Sequence, residues 1–331
     1  MAERDLIEQL NQAVDGLLSA SGSAPPPGDT PLGEMVRIAA RLRDLPSEEF
    51  RSRLRAELSN VSKKEKKVTA ATTYIPKGFR TVTPYLHPER GAQFVEFLKQ
   101  AFGAEEKLRV NTPDGRIMHA EMTICDSVVE LGEATPMPVA LHMYVPDADA
   151  VYERALAAGA TSLYPMTDQP YGDREGSVKD PSGNNWCIAT HKAGASYVPE
   201  GMHTVTPYLL TRGAPALIEF LEKAFAAQVA ERHESPSGSV VHAKLLIGDS
   251  AVEVSEAAVE LNEAQGQWLP MPAALHLYVE DADAVYQRAL DAGATSDISP
   301  RDTDYGDRSS GVTDPFGNHW FIHTHLRDVQ F

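Results

Sequence analysis

Residues 141–161 read LHMYVPDADAVYERALAAGAT, and residues 275–295 read LHLYVEDADAVYQRALDAGAT. The two stretches are identical at 17 of 21 positions, far more than chance similarity would give. In the first copy, a short apolar run typical of a strand precedes a helix that Asp147 caps and Gly159 ends. The chain therefore contains a duplicated strand–helix element.

The duplication extends well beyond this element. TVTPYL begins at Thr81 and again at Thr204, an offset of 123 positions, and HAEMTICDS from His119 corresponds to HAKLLIGDS from His242 at the same offset. The phrases YGDR and DP.GN.W recur at an offset of 134. The change in offset predicts an insertion of 11 residues in the second copy, within EAAVELNEAQGQWLP. We infer two tandem modules, residues 79–192 and 203–326, with the insertion in a loop between the fourth and fifth strands of the second.

Each copy also divides into two similar halves. In the first copy RTVTPYL is typical of a strand, GAQFVEFLKQAFG of an amphipathic helix, and three β-like runs follow, separated by turn residues. The second half repeats this order from ALHMYV onwards. The sequence therefore predicts an α+β fold in which each module is a pair of βαβββ units forming a cup-shaped half-barrel.

The first 60 residues have a different pattern. Apolar residues recur there at helical spacing in three segments, which predicts a helical leader, and residues 61–78 are predicted to be a linker. Three short helices bury too little surface to form a core alone. We expect residues 1–60 to dock on the modules, on a protein partner or on a second copy of the chain.

Composition excludes several classes of function. The net charge of −17 argues against nucleic-acid binding, because phosphate backbones would be repelled. No run of 18 apolar residues could cross a membrane, and the acidic start MAERDLIEQL does not resemble a signal peptide. These features predict a cytoplasmic protein. Cys125 and Cys187 lack metal-ligand spacing and are predicted to be buried structural thiols.

The strand–helix phrase, the YGDR turn and the final DPxGNxW strand together resemble the vicinal oxygen chelate superfamily, which includes glyoxalases, bleomycin-resistance proteins and dioxygenases. The phrases TVTPYL, HAEMTICDS and YGDREGSVKDPSGNNWCIATH are particularly similar to its PhnB-like subgroup. The resemblance implies the fold predicted above. It implies no single activity, because the family includes lyases, isomerases, ring-cleaving dioxygenases and drug-binding proteins without catalysis.

The resemblance also implies positions for a divalent metal on the first, fourth, fifth and last strands of a module. Glu130 and Glu253 occupy the fourth-strand position, whereas His142 and His276 lie two residues from the usual fifth-strand register, on the same face. The remaining positions are unfavourable. The first strand offers His203 in module two, one residue out of register, but Arg80 in module one, and the last strand has Cys187 or Phe321.

A catalytic metal needs about three protein ligands. Module two offers His203, Glu253 and His276 at best, whereas module one offers Glu130, His142 and perhaps Cys187, a set that would be unusual for this family. The preferred interpretation is nevertheless that no cofactor is bound and that these side chains form hydrogen bonds along the groove.

We predict that a small organic ligand binds in the groove, beside side chains that are aromatic or able to form hydrogen bonds. They are Glu130, His142, Tyr144, Tyr171, Trp186, Glu253, His276, Tyr278, Tyr305 and Trp320. The recurring histidines are interpreted as structural (His119, His191, His242, His325), and Asp180 and Asp314 as turn residues. The YGDR loops either contact the ligand or brace the cup through an Asp–Arg pair.

Three functions follow from this reading. The preferred one is a binding protein of the glyoxalase/bleomycin-resistance type. The second is a metal-dependent lyase, isomerase or dioxygenase that uses module two. The third is an interaction protein that recruits a partner through its helical leader.

Overall fold

The order of strands and helices follows the predicted βαβββ pattern four times. This order is seen in a computed structural model that describes residues 74–258 and 268–329. Unit 1a has strands β1 to β4 and helix α1, and unit 1b has strands β5 to β8 and helix α2. The elements of unit 1a are β1 (Val82–Leu86), α1 (Gly91–Phe102), β2 (Glu105–Asn111), β3 (Ile117–Ile124) and β4 (Ser127–Leu131). Those of unit 1b are β5 (Ala140–Tyr144), α2 (Ala148–Ala157), β6 (Thr161–Asp168), β7 (Asp173–Lys179) and β8 (Asn185–His191).

The second copy repeats this order as units 2a and 2b. The elements of unit 2a are β9 (Val205–Thr211), α3 (Ala214–Phe225), β10 (Gln228–Glu234), β11 (Val240–Ile247) and β12 (Ser250–Glu256). Those of unit 2b are β13 (Ala274–Tyr278), α4 (Ala282–Asp291), β14 (Thr295–Asp302), β15 (Asp307–Thr313) and β16 (His319–His325). The α+β class and the tandem repeat are therefore confirmed.

The two eight-stranded sheets each combine one unit from each copy. One sheet has the order β14-β15-β16-β13-β1-β4-β3-β2, and the other has the order β10-β11-β12-β9-β5-β8-β7-β6. Antiparallel ladders between β1 and β13 and between β5 and β9 join the units. We expected the two units of one copy to share a cup, and this pairing was wrong. Units 1a and 2b form one cup, cup A, and units 1b and 2a form the other, cup B.

Hydrogen bonds from turn residues reinforce this exchange. The backbone N–H groups of Thr81 and Val82 donate to Asp249 and Ser250 of the other copy, at 2.8 and 2.9 Å. Thr204 and Val205 donate to Asp126 and Ser127 in the equivalent way. The first strand of each copy is thus held by the turn before the fourth strand of the other copy.

The apolar core lies on the helix side of the sheets. In both copies a tryptophan of the last strand packs on a phenylalanine of the first helix, with ring centroids 4.6 Å apart for Phe102 and Trp186 and 4.5 Å for Phe225 and Trp320. The helices begin where the sequence predicts, since the Asp147 side chain accepts a hydrogen bond from the Ala150 backbone N–H. Each copy is therefore united by its helices, although its strands belong to different sheets.

Asp180 stabilises the turn before β8, as predicted. Its Oδ1 accepts hydrogen bonds from the backbone N–H groups of Ser182 and Asn184, and its Oδ2 accepts from Asn184 Nδ2 and Trp186 Nε1, at 2.8 to 3.0 Å. Asp314 makes the same four contacts in the second copy, through Phe316, Asn318 and Trp320.

Replacing this carboxylate should be costly. We expect Asp180→Ala to lower the free energy of unfolding by about 3 kcal/mol, because four donors lose a shared acceptor and most are buried. Urea denaturation measures the change, with the exposed Asp168→Ala as the control. A loss below about 1 kcal/mol would show that the turn does not depend on this carboxylate.

Some predictions concern residues beyond the described ranges. The leader (1–60), most of the linker (61–78) and the centre of the insertion (residues 259–267) lie outside them. The insertion is flanked by β12 and β13, the fourth and fifth strands of the second copy.

No helix among the described residues is long and apolar enough to cross a membrane. Cys187 is buried as predicted, but Cys125 is exposed in the β3–β4 turn, so that half of the thiol prediction was wrong.

Candidate functional site

The polar side chains of each cup come from strands of both copies. Along β5 the side chains alternate, so that Leu141 and Met143 join the core while His142 and Tyr144 face the cup. β13 follows the same pattern, which directs His276 and Tyr278 into the other cup. The two cups thus have equivalent scaffolds, and their differences arise from a few substitutions.

A continuous polar network occupies cup B. The His142 ring lies between two carboxylates, with Nδ1 3.0 Å from Glu253 Oε2 and Nε2 3.3 Å from Glu175 Oε2. Glu253 Oε1 is 2.9 Å from Nε2 of His242, and Tyr164 donates its hydroxyl to Glu175 Oε1 at 2.6 Å. His242 and Glu253 of unit 2a meet His142, Glu175 and Tyr164 of unit 1b along this chain, so neither copy could form it alone.

The network carries charges in spite of its burial. Burial disfavours the imidazolium, but the charge of Glu253 and the contact with Glu175 outweigh it and raise the pKa of His142 to about 10. Burial likewise favours the neutral carboxyl of Glu253, but the charge and hydrogen bonds of His142 and His242 lower its pKa to about 2. Cup B therefore contains its own cation, the His142 imidazolium.

Apolar side chains cover cup B. Trp268, at the end of the insertion, is 5% exposed and belongs to a buried cluster with Cys187 and Leu210. Its ring stacks with Tyr164 at a centroid distance of 6.4 Å. The insertion thus adds a cover to the cup in which His142 is paired with two carboxylates.

Cup A has the equivalent framework with different neighbours. Glu130 Oε2 lies 2.8 Å from Nδ1 of His276, but neither atom makes a hydrogen bond, because the contact lacks the required alignment. His323 is stacked obliquely on His276 with ring centroids 4.6 Å apart, and neither of its ring nitrogens has a hydrogen-bond partner. Among the described residues, nine buried side-chain polar atoms lack a hydrogen-bond partner, and four of them lie in this group.

These groups are uncharged at neutral pH. Burial raises the pKa of Glu130 to about 8, and burial together with the charge of His119 lowers the pKa of His276 to about 3. Burial also holds the pKa of His323 well below its ordinary value. The same Glu–His pair is thus neutral in cup A and ionised in cup B.

One substitution contributes to this contrast. Glu175 of β7 provides the second carboxylate beside His142, whereas the equivalent position of β15 is Ser309. Without a second carboxylate, the energy gained from charge pairing does not offset the desolvation of two ions, so burial dominates.

The predicted metal set of module two was wrong. Glu253 lies in cup B and His276 in cup A, because the strands of module two belong to different sheets. His203 lies in neither cup, and its ring nitrogens approach Asp126 Oδ2 at 3.1 Å and the Asp249 carbonyl at 2.9 Å. Arg80, its counterpart in the first copy, pairs with the same two aspartates. These residues join the two copies at the turns.

Two of the predicted ligand-binding residues were also misplaced. Trp186 and Trp320 are fully buried on the helix side, where their indole N–H groups donate to Asp180 and Asp314. The next residue along each strand, Cys187 or Phe321, points to the opposite side of the sheet and faces the cup. The residues that line the cups therefore differ from those predicted from the sequence.

The remaining predicted residues do lie in or beside a cup. Tyr144 stacks on His142 at 4.4 Å and donates to Asp173, and Tyr278 lies 5.3 Å from His323, both between ring centroids. Tyr171 and Tyr305 lie on the YGDR loops and are 60% and 45% exposed. The Asp and Arg of these loops do not pair with each other. Asp173 contacts His191 inside the cup, and Arg174 pairs with Asp149 outside.

Three cup B residues could in principle hold a metal ion. His142, Asp173 and Glu175 are the one group among the described residues whose ligand atoms all lie within 4.8 Å of one another. Each of them is already engaged, however. Both Asp173 oxygens accept hydrogen bonds, from Tyr144 and His191, and both Glu175 oxygens accept hydrogen bonds from tyrosines. The group is therefore a possible metal-binding triad whose carboxylates also accept hydrogen bonds within cup B.

Sequence reasoning overlooked several residues that the structure places at the cups. Glu175, Tyr85 and His323 were not predicted as site residues, although their parity along strands β7, β1 and β16 could have indicated an inward orientation. His323 lies two residues beyond Phe321, on the same face of β16.

Comparison with known proteins gives a family and a fold. The family model described as "Glyoxalase/Bleomycin resistance protein/Dioxygenase superfamily" matches residues 89–188 and 202–322. Uncharacterized proteins of Mycobacterium bovis and Mycobacterium tuberculosis are 36% identical over 32% of this chain, which covers 80% and 72% of their respective lengths. These relatives therefore correspond to about one copy of the repeat.

Solved structures extend the similarity to both copies. Glyoxalase I from Zea mays aligns with a TM-score of 0.58 at 14% identity, covering 74% of this chain and 92% of that one. A putative dioxygenase from Bacillus subtilis aligns with a TM-score of 0.51 at 12% identity, covering 74% and 85%. At such identities the alignments show a common fold.

Proposed function

Because the chain belongs to the glyoxalase/bleomycin resistance protein/dioxygenase superfamily, we propose that it binds a small planar organic ligand in cup A. The observation that carries this proposal is a cluster of partly buried rings in this cup. Tyr85 stacks on His276 at 4.9 Å, and Phe321 meets Tyr85 at 5.8 Å and His276 at 5.3 Å, all between ring centroids. Membership of the PhnB-like subgroup stays a prediction.

The ring cluster has the properties of a stacking surface. His87 and His119 extend it on either side of Tyr85, at centroid distances of 5.2 and 6.1 Å. Tyr305, on the YGDR loop, remains 45% exposed near His323. Aromatic walls with a few polar groups beneath them are typical of sites for small organic molecules.

Cup B lacks these properties, which supports assigning the ligand to cup A. The cup B counterparts of His87 and Phe321 are Leu210 and Cys187, and Trp268 packs over both. The polar floor of cup B is satisfied by its own ion pairs. We therefore propose one ligand per chain, although the fold provides two cups.

A screen with planar aromatic fragments tests the proposal. We expect Tyr85→Ala to weaken fragment binding about fivefold to tenfold, since one stacked ring contributes about 1 kcal/mol. Tyr208→Ala, at the equivalent position in cup B, is the matched control and should leave fragment affinity unchanged. Protein-detected NMR would report affinity and location together. Fragments that bind only near Tyr208, or no binding by any fragment, would contradict the assignment.

A metal-dependent lyase, isomerase or dioxygenase reaction in cup A is the second candidate. The buried polar atoms without partners on Glu130, His276 and His323 favour it, because a bound cation would satisfy them. Turnover that ends on treatment with a chelator and returns with one added metal would support this candidate over simple binding.

A further inference from the structure

We propose that the ligand of cup A carries a carboxylate group that binds between Arg301 and His323, an inference that rests on the function proposed above. Arg301, Ser309 and His323 form one row across three neighbouring strands, the cup A row. Ser309 of β15 is opposite Arg301 of β14 on one side and opposite His323 of β16 on the other. Residues opposite each other in antiparallel ladders share a face of the sheet, and His323 stacks on His276, so the row faces cup A.

The equivalent row of cup B contains a carboxylate that belongs to the chain itself. There Glu175 is opposite Thr167 on one side and opposite Ala189 on the other. Its carboxylate lies 3.3 Å from Nε2 of His142. In the cup A row a serine replaces this glutamate, and an arginine and a histidine replace the threonine and the alanine. Cup A has therefore lost an anion and gained two hydrogen-bond donors at the same place.

Neither donor is satisfied within the described part of the chain. His323 is 3% exposed, and both of its ring nitrogens are buried without a hydrogen-bond partner. Arg301 is exposed and makes no hydrogen bond or ion pair with any residue that the structure describes, whereas the nearby Arg308 pairs with Asp283 and Asp302. An unpaired guanidinium and an unpaired imidazole in one row are complementary to a group with two anionic oxygens.

The carboxylate nearest to the row leaves room for a second one. Asp307 Oδ2 is 3.6 Å from Nδ1 of His323, which is too far for a hydrogen bond, and Asp307 Oδ1 pairs with His325 at 2.8 Å. Cup B shows that two carboxylates fit at these positions. Asp173 and Glu175, the counterparts of Asp307 and Ser309, have oxygen atoms within 4.8 Å of each other.

Two further carboxyl groups of cup A do not oppose an anion at the row. Burial raises the pKa of Glu130 to about 8, so this carboxyl is neutral at neutral pH. Glu121 belongs to β3, near the other end of the sheet, and approaches His119 at 3.6 Å. The positive charge of Arg301 therefore dominates the surroundings of the row.

The row also lies close to the aromatic rings of the proposed site. Phe321 precedes His323 by two residues on the same face of β16, which is about 7 Å along a strand. The Phe321 ring meets that of Tyr85 at a centroid distance of 5.8 Å, and Gly311, opposite Phe321, has no side chain to cover it. A planar ring system stacked at Phe321 and Tyr85 therefore brings an attached carboxylate to His323. The ligand class is a planar aromatic carboxylate.

The test compares two probes of nearly equal shape on the full chain, 2-naphthoate and its neutral analogue 2-naphthamide. Protein-detected NMR gives the affinity and the location of each probe. We expect 2-naphthoate to bind cup A about tenfold or more tightly than the amide, because hydrogen bonds between charged groups contribute this much. Arg301→Gln should remove most of that preference and leave the affinity for the amide unchanged. His323→Ala, which introduces the residue that the other copy carries, should reduce the preference.

Two further variants separate local charge from net charge. Ser309→Glu supplies the carboxylate from the chain, as in cup B, and should weaken 2-naphthoate binding about 100-fold while affecting the amide less. Arg90→Gln removes an equal positive charge at an exposed residue just before α1 and should leave both affinities unchanged. Circular dichroism would establish that each variant remains folded.

Three results would overturn the inference. They are equal affinity of the two probes for cup A, a carboxylate preference that persists in both Arg301→Gln and Ser309→Glu, and a preference that is lost in Arg90→Gln. Each of them would leave the proposed function intact, because planar rings would still bind in cup A. The proposed function fails separately, if no planar fragment, charged or neutral, binds near Tyr85.

Discussion

A chain limited to one copy of the repeat, residues 74–196, should form a dimer rather than a monomer with its own complete cup. In the full chain, unit 1a shares its sheet with unit 2b, and unit 1b shares its sheet with unit 2a. Removal of the second copy leaves β1 and β5 without the antiparallel partners β13 and β9. Exposed strand edges of this kind readily pair with another chain.

A second molecule can supply equivalent strands. Unit 1b resembles unit 2b closely, so β5 of one molecule can pair with β1 of another and restore two cups per dimer. Light scattering coupled to size-exclusion chromatography should give twice the mass of the fragment, and unfolding should depend on protein concentration. The corresponding second-copy fragment, residues 197–329, should behave in the same way.

The contrary result is equally clear. A monomeric fragment with cooperative, concentration-independent unfolding would show that one copy can close a cup on itself. In that case the exchange of units in the full chain would follow from the linkage of the copies rather than from strand pairing.

The second large effect concerns the charge of His142. We expect Glu175→Ser, which introduces the cup A residue, to lower the pKa of His142 far below its value of about 10, towards the value of about 3 that burial gives His276. Removing one of two flanking carboxylates weakens the stabilisation of the imidazolium while its desolvation remains. NMR titration of the ring protons measures the change. The reverse substitution in cup A, Ser309→Glu, should raise the pKa of His276.

The same substitution should change the dependence of stability on pH. The pKa of His142 is raised above its unfolded value of 6.5, so its contribution is complete below pH 6.5 and is lost as pH rises through about 10. The pKa of Glu253 is lowered from 4.5 to about 2, so its contribution is complete above pH 4.5 and is lost as pH falls through about 2. Cup B therefore stabilises the fold most between about pH 4.5 and 6.5.

In Glu175→Ser, stability should fall much less between pH 6.5 and 10. Near pH 6 the free energy of unfolding of this variant should be about 3 kcal/mol lower than that of the original chain, because a buried ion pair is disrupted. Glu175→Gln separates charge from geometry, because it keeps polar contacts but removes the carboxylate. A His142 pKa near 10 in both variants would show that Glu253 alone holds the proton.

The sequence was informative about local features because these depend on nearby residues. Period-2 alternation indicated that Glu130, His142, Glu253 and His276 point away from the core, and the phrase DPSGN predicted that Asp180 is a turn residue. The same reasoning failed for Trp186. Its aromatic character suggested a ligand wall, whereas its parity directs it to the helix side.

Sequence by itself determined the number of copies, the βαβββ order of each unit and the types of residue available to the cups. Only the tertiary structure decided which units share a cup, and hence that Glu253 meets His142 while Glu130 meets His276. The physical reason is that β5 and β13 have nearly identical sequences, so that either could form the same ladder with β1. The local sequence pattern does not distinguish β5 from β13 as the partner of β1, whereas long-range packing does. Through that choice it places His276 and His323 beside Glu130 and away from Glu253.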